Sequence, residues 1–437
     1  MPRDNMNLLF LLCTIVTLGL ITTITLTLFC TRNLSPSTKQ HTSPGAIMNL
    51  LDPKLSIHNL LSSRFLANQR LLHAFNLSNT FVSPDLRTHH MFVGRMKDLI
   101  RAQSRHGHWG AFLHVARQAV ESELDHCAKG RETPPSRSFA ELVQIVTFKT
   151  ILIGLLDPDR DMETIDTEDV RVSATLITKL WAMSKMKKSG SVPSAAPPSD
   201  DTSTTPIIDE LATLNHHLRQ LLPDLDKYPN PVDFIIPTWE TLWRLVATSL
   251  AHVYDQEEYR RSFQELLENP TPERFSTAQV TPRTCWIINE TLRLHPPSRH
   301  ISRSFSIEQH PLRQFLQGLL PKFTRDIFSL DSSPIRSEVA AIEVVHLSTD
   351  IWGTDALEFN PKRWGEYTES ANVPTLFAFG YGPLMCVGKN WAPMAAALIV
   401  GAILEGVKEG GLEIHRTTVI GGRSDWVGWC VQDRERC

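Results

Sequence analysis

The sequence predicts a mainly α-helical chain with a small β-rich part, preceded by one helix able to span a membrane. Three observations predict this. Apolar residues recur at helical spacing over Leu60–Leu113, Ser138–Leu156, Thr164–Met183 and Ile207–Pro223. Strand-like stretches are few and late: Val339–His346, then Leu412–Val431, which carries Gly421-Gly422 at its centre and reads as a terminal hairpin. At the front, Met6–Cys30 is mostly apolar and carries no charge, which is enough to cross a bilayer as a helix.

The front run is too long for the core of a signal peptide, and no small-residue cleavage site stands out in Thr25–Thr31. Arg32 and Lys39 follow it, which places the next domain on the cytosolic side. On that side the sequons at Asn33, Asn76 and Asn289 stay unmodified. Thr31 to about Ile47 is polar with Pro and Ser and reads as a linker. The chain thus divides into an anchor at 6–30, a linker and short front segment at 31–67, and one large domain at 68–437. Within that domain Lys185–Pro206 is a Ser/Thr/Pro/Lys run of low complexity and reads as a disordered insertion.

The 437 residues carry a net charge of −3, a balance that gives no footprint for nucleic acid. Their 42 % hydrophobic content is enough for a large buried core. Seven cysteines are scattered with no Cys-x-x-Cys pair, which suits a reducing compartment and not a disulfide framework.

Cys386 stands on the stretch Phe379-Gly380-Tyr381-Gly382-Pro383-Leu384-Met385-Cys386-Val387-Gly388, just before the apolar run Trp391–Leu404. A cysteine on a Gly/Pro loop that feeds a helix is placed where the helix dipole favours a thiolate. Glycines there leave room for a flat group to approach the backbone. Thiolate ligation of haem iron uses such an arrangement; a buried free cysteine ahead of a core helix is the alternative.

Two further motifs precede the cysteine. Glu290 and Arg293 are spaced to pair on one face of a helix over Cys285–Leu294, which His295-Pro296-Pro297 ends. Phe359-Asn360-Pro361-Lys362-Arg363-Trp364 follows, preceded by Asp350-Ile351-Trp352-Gly353. In this order the segments resemble the cytochrome P-450 family: Glu-x-x-Arg, a Pro-rich stop, an arginine, Pro-x-Arg-aromatic, then Phe-x-x-Gly-x-Arg-x-Cys-x-Gly. Phe379, Gly382, Cys386 and Gly388 match that last pattern, and Leu384 replaces its arginine. The resemblance implies a triad of Glu290, Arg293 and Arg363, and gives Arg303 a haem propionate as partner.

Upstream, Phe234-Ile235-Ile236-Pro237-Thr238-Trp239-Glu240-Thr241 resembles the family's oxygen-activating helix, with Glu240 and Thr241 as its acid–alcohol pair. Pro237 inside a helix removes a backbone bond and predicts a local widening. By resemblance Thr241 would hydrogen-bond bound oxygen or a water, and Glu240 would relay protons. An ordinary helix start capped by Thr238 is the alternative. No Trp-x-x-x-Arg occurs anywhere; Trp109 and His89-His90 lie in the right region without being assignable.

The resemblance implies the cytochrome P-450 fold, mainly α with a smaller β-rich part. It implies haem b ligated by Cys386, and electrons from NADPH through a reductase. It also implies an apolar small-molecule substrate, and membrane lipid around a single-pass anchor in the endoplasmic reticulum. The motif spelling is similar to filamentous-fungal members of secondary metabolism. Val246, Phe305 and Trp429 are the candidate pocket residues. Two alternatives stay open: a haem-thiolate isomerase or dehydratase that needs no reductase, and a non-catalytic anchored remnant.

Overall fold

The structure is a computed structural model that describes residue 14 and residues 38–103, 108–128, 137–186, 205–277, 280–306, 335–370, 374–417, 420–423 and 426–433. The predicted anchor, apart from Thr14, and most of the Lys185–Pro206 run lie outside the described residues. Two compact units emerge: a small one of Met1–Gln40 with Ser302–Val339, and a large one of His41–Ile301 with Ala340–Cys437.

The large unit is helical, and its core is built around two all-apolar elements. Phe139–Ile151 is an α-helix started by Ser138, whose Oγ accepts the Glu141 N–H at 3.4 Å; it continues as a π-helical turn, Leu152–Leu156. Among the described residues this is a stretch long and apolar enough to cross a membrane, but 83 % of it is buried inside the protein. It is a core helix, as its continuous hydrophobicity predicts. Ala392–Glu409 is the second such element; from Pro393 to Ile403 every residue is buried. It packs on helices His108–Ala128, Glu257–Glu268, Leu242–Val253 and Thr284–Leu294.

Helices Ile57–Ala67, Gln69–Phe75, Leu86–Gln103 and His108–Ala128 occupy the region expected to be helical with irregular joints. Thr167–Met186 and Thr205–Leu221 follow at the expected places. The expected terminal hairpin forms from Leu412–His415 and Cys430–Asp433, antiparallel, with Ile414 opposite Val431. Arg137–Ser138 adds a third strand to it.

Two expectations fail. Val339–His346 is not one strand: Ile335–Ala341 is a strand, and Ile342–His346 turns into a helix. Short apolar runs do not distinguish the two periods, and here the Glu343 N–H bonds Arg299 O, 3.2 Å away, where a strand would have continued. The polar run to Ile47 is not all linker: Lys39–His41 is a strand and Pro44–Leu51 a helix capped by Ser43. Ile47, Leu50 and Leu51 are buried, so this short helix is part of the core. Strands Lys39–His41, Ile335–Ala341 and His300–Ser306 make a separate three-stranded sheet.

Candidate functional site

Glu290, Arg293 and Arg363 come together in the large unit, fully or almost fully buried. The helix Thr284–Leu294 sets Glu290 and Arg293 on one face, and a fork of two bonds joins them at 3.0 and 2.7 Å. Arg363 Nε donates to Glu290 Oε1 at 3.0 Å, and Trp364 Nε1 donates to Oε2 at 3.0 Å. The Asn360 N–H adds a further bond to Oε1 at 3.0 Å. The remaining guanidinium protons go to carbonyls: Arg293 to His346, Ala356 and Glu358, Arg363 to Trp352 and Asp355. Asp355 takes Arg363 with both oxygens; the hydrogen bond from the Asn360 side chain, and then that guanidinium, hold its carboxyl below the usual range. Buried charges of this kind hold only when every partner is in place.

Sequence reading missed the link from this cluster to the cysteine loop. His346 accepts from Arg293 through its carbonyl at 2.8 Å, while its ring Nε2 accepts the Phe377 N–H at 2.9 Å. Burial pushes the His346 imidazole down to about 4, so it is the neutral acceptor this bond needs. Phe377 opens the loop, and its ring stacks on His346 at 6.3 Å.

The loop is closed by the Cys386 N–H donating to Phe379 O at 2.9 Å. Gly380 and Gly382 have φ of +76° and +71°. At Gly382 the space is taken by the chain itself: a Cβ there would lie 2.7 Å from Asp52 Cβ and 3.3 Å from Leu51 O. The glycine therefore admits the end of the Pro44–Leu51 helix, not a flat ligand. Gly388 differs, its Cβ position being 3.7 Å from Cys386 Sγ.

Cys386 is free and exposed, whereas the free cysteines Cys285 and Cys430 are partly buried. Protein nevertheless rings the sulfur. That crowding raises its pKa, and the Gly388 N–H bond to it works in the opposite direction. The expected dipole stabilisation does not win, because the helix begins only at Ala392, after turns closed by Gly388 O. Among the described residues no group of three or more His, Cys, Asp or Glu could hold a metal. An iron held by Cys386 alone has to bring its other ligands with it, as in a porphyrin. The indole N–H groups of Trp109 and Trp391 are buried without a partner among the described residues, and the two rings stack at 6.1 Å. Arg303, in the small unit, is buried; burial lowers its pKa to about 10, and its Nε has no partner among the described residues. In the large unit, a free, exposed Cys386 without competing metal ligands among the described residues fits a haem.

The long helix is interrupted as Pro237 predicts. Val232–Ile235 is α-helical, Ile236–Glu240 is a π-helical turn, and Leu242–Val253 resumes the α-helix. Thr238 does not cap a helix start; its hydroxyl bonds back to Phe234 O at 2.7 Å. Thr241 makes no capping bond either. Glu240 is buried and doubly paired: Arg423 Nε donates to Oε1 at 2.6 Å and Arg244 Nη2 to Oε2 at 3.2 Å. Neither arginine was singled out from sequence.

Val246 is a fully buried core residue, and Phe305 lies in the small unit under the Arg336 guanidinium, 5.8 Å away. Trp429 packs on Phe139 and Trp426 and lines a cavity of about 650 Å³ shared with His252, Tyr259, Phe359 and Arg416. The His89 ring bonds Thr80, and burial pushes its pKa down.

Comparison with known proteins agrees with this geometry. The cytochrome P450 family model matches residues 339–407. The 11-oxo-beta-amyrin 30-oxidase of Glycyrrhiza uralensis is 29 % identical over 183 residues, 39 % of this chain and 31 % of that protein. Cytochrome P450 734A6 of Oryza sativa subsp. japonica is 37 % identical over 120 residues, 27 % of this chain and 19 % of that protein. The chain spans 20 % to 31 % of the length of the curated relatives that head the comparison. The crystal structure of a cytochrome P450DA mutant heme domain aligns over 90 % of this chain and 86 % of its own, with a TM-score of 0.58 at 16 % identity. The fold is thus that of the cytochrome P450 heme domain over most of its length, and the sequence around the motifs that build the cysteine site is similar to the cytochrome P450 family.

Proposed function

We propose that this chain is a membrane-anchored haem-thiolate monooxygenase that inserts one oxygen atom of O2 into an apolar small molecule. Cys386 carries the reading: its thiol is free and the residue exposed, on a loop tied through His346 to a buried charge cluster. Similarity to the family implies a thiolate-ligated haem, which when bound would supply the oxygen chemistry. Cys386 holds the iron, and the Gly388 N–H tempers the charge on its sulfur. Phe379, Gly382 and Gly388 shape the loop around it. Arg303, the propionate partner that the resemblance implies, lies in the small unit, buried and with an unpaired Nε among the described residues.

Glu240 and Thr241 are the proton-handling pair. The π-helical turn at Pro237 displaces them from regular helical register. Both Glu240 oxygens are held by guanidinium N–H groups, so the carboxylate hands on a proton only after Arg244 or Arg423 lets go. That same clamp favours the second reading, rearrangement or dehydration of an oxygenated substrate without a reductase. Turnover without NADPH separates the two.

Electrons come from NADPH through a membrane reductase. The uncharged run Met6–Cys30 supports a single-pass anchor in the endoplasmic reticulum with the large domain in the cytosol. A relative named as an 11-oxo-beta-amyrin 30-oxidase supports a substrate from secondary metabolism.

The test is the carbon-monoxide difference spectrum of the reduced protein beside Cys386→Ala. A red-shifted Soret band of the thiolate type, lost in the variant, is the expected result. Folded wild-type protein with no such band would overturn the proposal and favour a non-catalytic remnant.

A further inference from the structure

The side chains around Glu240 are out of electrical balance. Glu240 is 3 % exposed and its two arginine partners 13 % and 15 %, so the charges interact in a partly dry setting. Beyond them stands Trp181, with the Arg423 guanidinium 4.4 Å and the Arg70 guanidinium 5.3 Å from its ring centre. Arg70 Nη1 donates to the neutral hydroxyl of Ser184 at 2.7 Å. Lys185 is the next residue on the same helix, and its pKa is lowered first by burial, then by the charges of Arg423, Arg70 and Arg244. Among the described residues three guanidiniums therefore gather near one carboxylate, with the exposed Lys185 beside Ser184; Glu240 attracts Arg70 and Lys185, but neither pairs with an acid there. Gathering like charges in a partly dry setting is destabilising. A second anion would relieve that repulsion, and two guanidiniums beside an aromatic ring suit a carboxylate carried on an apolar body.

We propose that Arg70, Lys185 and Arg423 form an anion subsite beside Trp181, and that the substrate is an amphipathic acid whose carboxylate docks there. This rests on the oxygenase reading, since it is Thr241, next to Glu240, that would attend the reaction. The carboxylate would hold one end of the substrate while its apolar skeleton extends along the helix that carries Thr241. Arg423 would serve both anions, so acid binding would also loosen its hold on Glu240 and release that carboxylate for proton transfer.

The experiment is titration calorimetry of the full-length holoprotein with dodecanoate and abietate, each beside its methyl ester. At least one acid is expected to bind about tenfold more tightly than its ester, the size of a charge-assisted contact. Arg70→Gln and Lys185→Gln should each erase most of that preference while leaving ester binding unchanged. The preference should also shrink as salt is raised. No binding by either acid, equal binding of acids and esters, or a preference that survives both substitutions would overturn the subsite. The carbon-monoxide spectrum of the same preparation reports the oxygenase reading separately: a normal spectrum without acid preference sinks the subsite alone, and acid preference without that spectrum sinks the oxygenase reading alone.

Discussion

His346 accepts the backbone N–H of Phe377 on its ring Nε2 at 2.9 Å, and so couples the buried arginine cluster to the start of the cysteine loop. The ring can accept only while it is neutral there. Protonation would turn the acceptor into a donor facing a donor.

A pH dependence follows. The unfolded imidazole takes a proton near its ordinary 6.5, the folded one only near 4. Between those values the unfolded state binds more protons, so His346's contribution is whole above 6.5 and is lost as pH falls toward 4. The loss is about 3 kcal/mol for this fully buried group. His252 and His295, lowered by burial to about 3 and 4, act in the same direction. Urea midpoints measured from pH 7 to pH 4 should fall steadily, and His346→Gln should flatten part of the slope. A profile unchanged by that substitution would refute the assignment.

Removing the charge of Glu290 leaves two guanidiniums buried without a counter-charge. Glu290→Gln should cost about 3–5 kcal/mol. Arg363→Lys should also be costly, because an ammonium cannot reproduce the fork to Asp355 and Glu290. Chemical denaturation tests both; a cost below about 1 kcal/mol for Glu290→Gln would show that the cluster is dispensable.

Gly382→Ala meets two obstacles, a φ of +71° and a contact with Asp52. The backbone penalty alone is about 1–2 kcal/mol. The double variant with Asp52→Gly should recover the steric share and keep the backbone share. Melting temperatures of the two single variants and the double one separate these parts.

Pro237→Ala should let the π-helical turn relax toward a continuous α-helix. Stability should rise, by at most about 3 kcal/mol. If the widening serves proton delivery, less of the NADPH consumed should end in product and more in hydrogen peroxide. Equal coupling in the two proteins would leave the turn without that role.

Much of the site was legible because its chemistry is local or ordered along the chain. Glu290 and Arg293 share a helix face, Pro237 breaks a ladder at a known point, and Cys386 sits in a dense motif. What stayed hidden depends on distant parts of the chain. Arg244 stands one helical turn beyond Glu240 and could have been found by spacing, but no spacing rule leads from Glu240 to Arg423. The same holds for Asp52 against Gly382 and for His346 against Phe377. Val339–His346 was misread because its apolar residues suit either period, and a backbone bond to Arg299 made the choice.

The seat of Asp52 against Gly382 also bears on how the protein is made. The cysteine loop is shaped partly by a helix that precedes it by a long stretch of chain. A growing chain on the ribosome therefore carries one half of this joint for most of its synthesis with nothing to close on. A form shortened for expression would keep its loop only if the cut falls before Ser43, the residue that starts the helix.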